Sequence, residues 1–148
     1  MRPPDIALRD LVRQWVEKAN ADLDAAEQLA SEPRLRGIVA FHCQKAGEKY
    51  LKAYLVRWQV EFPKTHDLRK LLDLAASIDP ELARDERRAE QLTPFGAEIR
   101  YPSDAPELLQ GAELELLTIA RGIRDAIEAS LRAYLAEEGH PPIDNPKT

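Results

Sequence analysis

An all-α fold, an antiparallel up-and-down bundle of three long helices plus one or two short ones, is predicted by three features of this 148-residue chain. Apolar residues recur at spacings of three and four over long stretches without proline. Leu, Ala, Glu and Arg are abundant while β-branched residues are few, which favours helix over sheet. Hydrophobic residues make up 44% and charged residues 32%, a balance suited to one packed core with a solvated exterior.

The first long helix is expected from about Ile6 to Ser31, with Leu8, Leu11, Val12, Trp15, Ala19, Leu23, Ala26 and Ala30 on one face. Pro3 and Pro4 should keep the preceding tail extended, Asp5 should act as N-cap, and Pro33 marks the break. The second helix should run from Leu35 to about Val60. Val39, Cys43, Ala46, Tyr50, Ala53 and Tyr54 cluster on one side, and Ala40, Leu51 and Trp58 widen that arc, so this helix should be the most buried. In "FPKTHDL" proline stops it, and Thr65 or Asp67 can cap a short helix carrying Leu68, Leu71, Leu72 and Ala75. Asp79-Pro80 opens "PELARDERRAEQL", whose charge places it outside the main bundle. "TPFGAEIRYPSDAP" has no helical period and reads as a long loop, of the kind that carries function. The last long helix is expected from about Pro106 to Glu138, with Leu109, Leu116, Ile123, Ile127 and Leu131 among its apolar positions. Gly139 should close it. The domain is thus read as residues 5–138, with flexible tails at 1–4 and 139–148.

A net charge of −5 argues against a protein that coats nucleic acid by charge alone, although a local basic strip is compatible with it. Cys43 is the single cysteine, so neither an intramolecular disulfide nor a C-x-x-C motif exists. No run is long and apolar enough to span a bilayer, and "MRPPDIALRD" carries charge where a signal peptide needs an apolar stretch. A cytoplasmic protein without membrane attachment is the expectation.

"FHCQKAGEKYLKAYLV", Phe41 to Val56, combines burial with polar chemistry. His42, Lys45, Lys49 and Lys52 fall within an arc of about 80° on a helical wheel, bordered by Gln44 and Glu48. Such a strip is either a solvated face with Glu48 and Lys52 as an i,i+4 pair, or a groove for phosphate or nucleotide. Asp22 beside the apolar stripe of the first helix should find a lysine of the second as ion-pair partner. His66 at a helix start is read either as a loop-stabilising group or as a site residue. Arg100 and Tyr101 suit phosphate pairing and base stacking, or an interhelical ion pair and a packed ring. Metal binding is rejected: His42 and Cys43 diverge by about 100° on a helix and a fourth ligand is not evident. No cofactor is implied, since the P-loop, dinucleotide, serine-hydrolase and zincin signatures are all missing.

Four segments, "WVEKANADLDAAEQL", "FHCQKAGEKYLKAYLV", "KTHDLRKLL" and "EIRYPSD", resemble the HEPN domain family in order and cover roughly residues 15 to 135. The resemblance implies a homodimer-forming bundle, often encoded beside a minimal nucleotidyltransferase partner in a two-part toxin–antitoxin or nucleotide-modifying system. It also implies that some members cleave RNA without metal, using an Arg followed after four to six residues by His. Here Arg100 is followed by "YPSDAPELLQG", without histidine, so that motif is incomplete. Arg36 and His42 satisfy the spacing by position but open the second helix, where chance explains them.

Binding of nucleotide, RNA or a nucleotidyltransferase partner, through His42, Lys45, Glu48, Lys49, Lys52, His66, Arg100 and Tyr101, is therefore placed ahead of catalysis. A metal-independent RNase using Arg100 with His66 or His42 is the alternative. A purely structural dimerisation module, using Trp15, Trp58 or Phe62, is the third.

Overall fold

The computed structural model describes residues 3–96 and 107–137. Five α-helices form among them: α1 (Pro3–Leu29), α2 (Arg36–Arg57), α3 (Leu68–Ala76), α4 (Pro80–Asp85) and α5 (Ala112–Ala136). Two 3-10 segments, Pro33–Leu35 and Arg87–Phe95, complete the order, and no strand occurs among the described residues. The expected all-α bundle is the observed fold.

Each boundary has a chemical cause. Pro3 and Pro4, expected in an extended tail, instead form the first turn of α1, where their missing N–H groups have no intrahelical partner to lose. Asp5 thus lies inside the helix, with its carboxylate near the positive end of the dipole. α2 stops at Arg57 rather than Val60 because Gln59 adopts a left-handed φ of 56°. Gln59 N donates to Val56 O and Val60 N to Leu55 O, the paired bonds of a Schellman motif. Asp67, not Thr65, caps α3 by accepting from Arg69 N at 2.9 Å. Asp79 caps α4 through Glu81 N and Leu82 N, as its place before proline suggests.

α5 begins at Ala112, later than expected. Gly111, at φ 93°, turns the chain, and Glu113 reaches back to accept from Gly111 N at 2.9 Å. Leu109 consequently lies before the helix and is 79% exposed rather than on its apolar face. Trp58, expected to widen the buried arc of α2, is likewise exposed.

α2 occupies the centre, packing against α1, α3, α5 and the Arg87–Phe95 segment. Its fully buried residues include Val39, Cys43, Ala46, Tyr50, Leu51, Ala53 and Leu55. α1 runs antiparallel to it, as pairings of Asp22 with His42 and Trp15 with Lys52 require. α5 runs in the same sense as α2: Arg36 meets Glu113, Gly47 meets Ile123, and Arg57 stacks on Tyr134 at 3.9 Å. The short elements supply the return leg. The charged segment after Asp79 is not outside the bundle, because Leu82, Ala83, Ala89 and Leu92 are buried by it.

Candidate functional site

The polar strip of α2 divides into two clusters around two carboxylates. Toward α1, Asp22 meets Lys49 Nζ at 2.6 Å through one oxygen and His42 Nδ1 at 2.9 Å through the other. The expected interhelical pair of Asp22 with a lysine is therefore made with Lys49. His42 and Lys49 thus face an anion of the same chain.

Toward α3, Glu48 gathers the remaining groups. Its Oε2 accepts from Lys52 Nζ at 2.8 Å. Its Oε1 accepts from Gln44 Nε2 at 3.1 Å and lies 2.9 Å from His66 Nδ1, with Lys45 Nζ 3.7 Å away. Helical spacing explains why α2 supplies four of these residues: positions 44, 48 and 52 stack on one face, and 45 lies one turn from 48. Asp67 fixes the start of α3, which brings the neighbouring His66 against α2. Gln44 adds a second tie, donating to His66 O at 2.8 Å.

Burial pushes the Glu48 carboxyl upward, but hydrogen bonds from Lys52, His66 and Gln44 outweigh it and hold it below the usual value. The carboxylate is therefore anionic at neutral pH. Lys52 is covered by Trp15 and Phe62, with its ammonium 5.7 and 5.6 Å from their ring centroids. Its side chain is 9% exposed and that of Glu48 is 6%, whereas His66 is 60% exposed. A buried charged network thus reaches solvent through one imidazole.

Gln44 itself is fully buried, and among the described residues its Oε1 has no hydrogen-bond partner. Gly96 packs directly over this amide. In the sequence Gln44 borders the polar strip without counting among the site residues, and Gly96 carries no role. The i,i+4 spacing from Gln44 to Glu48 was a visible signal for the first. Nothing in the local sequence signalled the second.

Arg100 and Tyr101 lie outside the described residues. Cys43 is buried, and burial pushes its thiol up to about 12, so it offers no thiolate. Trp15 and Phe62 meet edge to face at 6.5 Å as the wall beside Lys52, and Arg57 stacks over Trp58 at 4.1 Å. Among the described residues no group of three or more His, Cys, Asp or Glu side chains is placed to hold a metal ion. No described helix is long and apolar enough to cross a membrane.

No curated protein and no solved structure matches the chain. The family model of the HEPN domain matches residues 12–130, which takes in α1 from its third turn, the whole of α2 to α4, and most of α5. That match covers most of the chain, which therefore belongs to the HEPN domain family.

Proposed function

We propose that this protein binds a nucleotide unit, free or within RNA, on the face of the bundle where His66 emerges, and works beside a minimal nucleotidyltransferase partner in a two-component, toxin–antitoxin-like system. The observation that carries the binding face is the exposed imidazole of His66 over an otherwise buried charged network. A network serving stability alone gains little from ending in a solvated histidine. One carboxylate among two ammonium groups, Lys45 and Lys52, leaves a local positive charge that suits a phosphate. Arg100 and Tyr101 belong to the same reading through the sequence, as phosphate and base contacts. A homodimer is part of it as well.

Fluorescence anisotropy with a labelled single-stranded RNA decamer, and competition with 5′-AMP, tests the reading. Arg100→Ala and Lys45→Ala should each weaken binding about tenfold, as loss of a charge-assisted contact does. Lys70→Ala, at an exposed position of α3, should leave it unchanged. Full affinity in the folded Arg100→Ala and Lys45→Ala variants, or no binding by the parent protein, overturns it.

Metal-independent RNA cleavage is the second reading, favoured by the same accessible imidazole as a proton-transfer group. RNA left intact by the purified protein in EDTA would exclude it.

A further inference from the structure

The imidazole of His66 is not merely near Glu48; its two nitrogens have unequal surroundings. Nδ1 lies 2.9 Å from Glu48 Oε1 and 3.3 Å from Lys45 Nζ. A neutral ring protonated on Nε2 would turn the Nδ1 lone pair toward a carboxylate oxygen, placing two acceptors in contact. A ring protonated on Nδ1 donates to that oxygen over the shorter of the two distances. Glu48 favours this arrangement electrostatically and is itself fixed by Lys52 and Gln44. The backbone of His66 is held too, by the bond from Gln44 to its carbonyl.

With that tautomer the Nδ1 proton is common to the neutral and the charged ring. Nε2, the nitrogen not engaged by Glu48, offers a lone pair in the neutral ring and an N–H donor in the charged one.

We infer that His66 Nε2 is the atom that meets a phosphate oxyanion of the ligand, and that this contact is proton-linked: the ligand binds the imidazolium form and draws a proton onto Nε2. The inference rests on the nucleotide-binding reading and assigns the chemistry of that site. Glu48 and Gln44 act as positioning residues, holding the ring and its tautomer without touching the ligand. The charged groups facing His66 from α2 are Lys45 and Glu48, with Lys52 behind Glu48. At the start of α3, Asp67 is committed to capping Arg69 N. The Arg87–Phe95 segment meets this turn through Thr93, whose hydroxyl accepts from Leu68 N, and adds no charge at that contact. An approaching phosphate adds an anion on the solvent side, where it favours protonation of Nε2.

NMR of the full chain labelled with ¹⁵N-histidine reads both claims. Free protein should show His66 in the Nδ1–H tautomer when neutral. A saturating single-stranded RNA decamer, or 5′-AMP in a separate arm, should raise the His66 titration midpoint by about half a pH unit or more, equivalent to roughly threefold tighter binding to the charged form. Adenosine, lacking phosphate, should not move it. The two phosphate-bearing arms distinguish an RNA from a free nucleotide as the source. His66→Gln should weaken binding at least fivefold at pH 6 and flatten the pH dependence of affinity. An unchanged His66 midpoint in protein that binds either probe overturns the proton-linked contact and leaves the binding reading standing. Absence of binding by the parent protein to both probes overturns the two together. An Nε2–H tautomer in the free protein overturns the positioning role of Glu48.

Discussion

The backbone of Gly96 lies directly against the side-chain amide of Gln44: a methyl group at Gly96 would collide with Gln44 Cδ. That amide holds both Glu48 and the His66 carbonyl, so its position decides where the exposed imidazole stands. A glycine with no helical or turn requirement of its own is thereby part of the site's support.

Gly96→Ala should displace the Gln44 amide and break one or both of its hydrogen bonds. The expected cost is about 1 to 3 kcal/mol, from buried polar groups left unsatisfied. Urea denaturation measures it, and increased mobility of the His66 ring by NMR relaxation should accompany it. A variant of unchanged stability with an unchanged His66 spectrum would show that the amide has room to move.

Glu48→Ala should be far more costly, because it strands the Lys52 ammonium beneath Trp15 and Phe62. Breaking one side of such a pair costs about 3 to 5 kcal/mol. Replacing both partners, as Glu48→Leu with Lys52→Met, should recover at least half of that, since neither charge then needs a partner. Equal losses in the single and double variants would contradict the assignment. Denaturant midpoints of the two proteins decide it.

The same carboxylate predicts a pH dependence of stability. Its folded value is depressed, so its contribution is complete above the ordinary glutamate value of about 4.5 and is lost as pH falls through the lower folded value. Urea midpoints should therefore fall between pH 5 and 3 for the parent protein. Glu48→Gln, which cannot ionise, should be less stable at pH 7 and show a shallower slope across that interval. Identical slopes would remove Glu48 from the acid response.

Two glycines of α2 should respond oppositely to alanine. Gly37 has open space around it, so Gly37→Ala should stabilise by about 0.5 kcal/mol through helix propensity. Gly47 faces Ile123, Leu68 and Leu92 within 3.0 to 3.2 Å of an added methyl group. All three neighbours are fully buried, so overpacking should outweigh propensity and Gly47→Ala should destabilise by about 1 kcal/mol. Thermal unfolding of the two variants side by side tests the difference in sign.

The sequence by itself determined the helical bundle, the buried place of α2 and the cap at Asp79, and left the cap of α3 open between Thr65 and Asp67. The bundle, the burial of α2 and the cap at Asp79 follow from local periodicity or from residue types with one dominant backbone use, whereas the family is carried by the resemblance of four segments in order. The sequence also placed Asp22 opposite a lysine, because a carboxylate on an apolar stripe needs a partner. Helix ends were less legible. Gln59 ends α2 in a left-handed conformation that its residue type does not announce, and Pro3 and Pro4 suit a first helical turn as well as a tail. Only the tertiary structure decided how the polar strip is used. A helical wheel aligns His42, Lys45, Lys49 and Lys52, but it cannot show that Asp22 takes two of them while Glu48 gathers the others. That division depends on which helix faces each side of α2, as does the placing of Gly96 over Gln44. Contacts between distant segments are set by packing, and packing left His66 as the exposed end of a buried network.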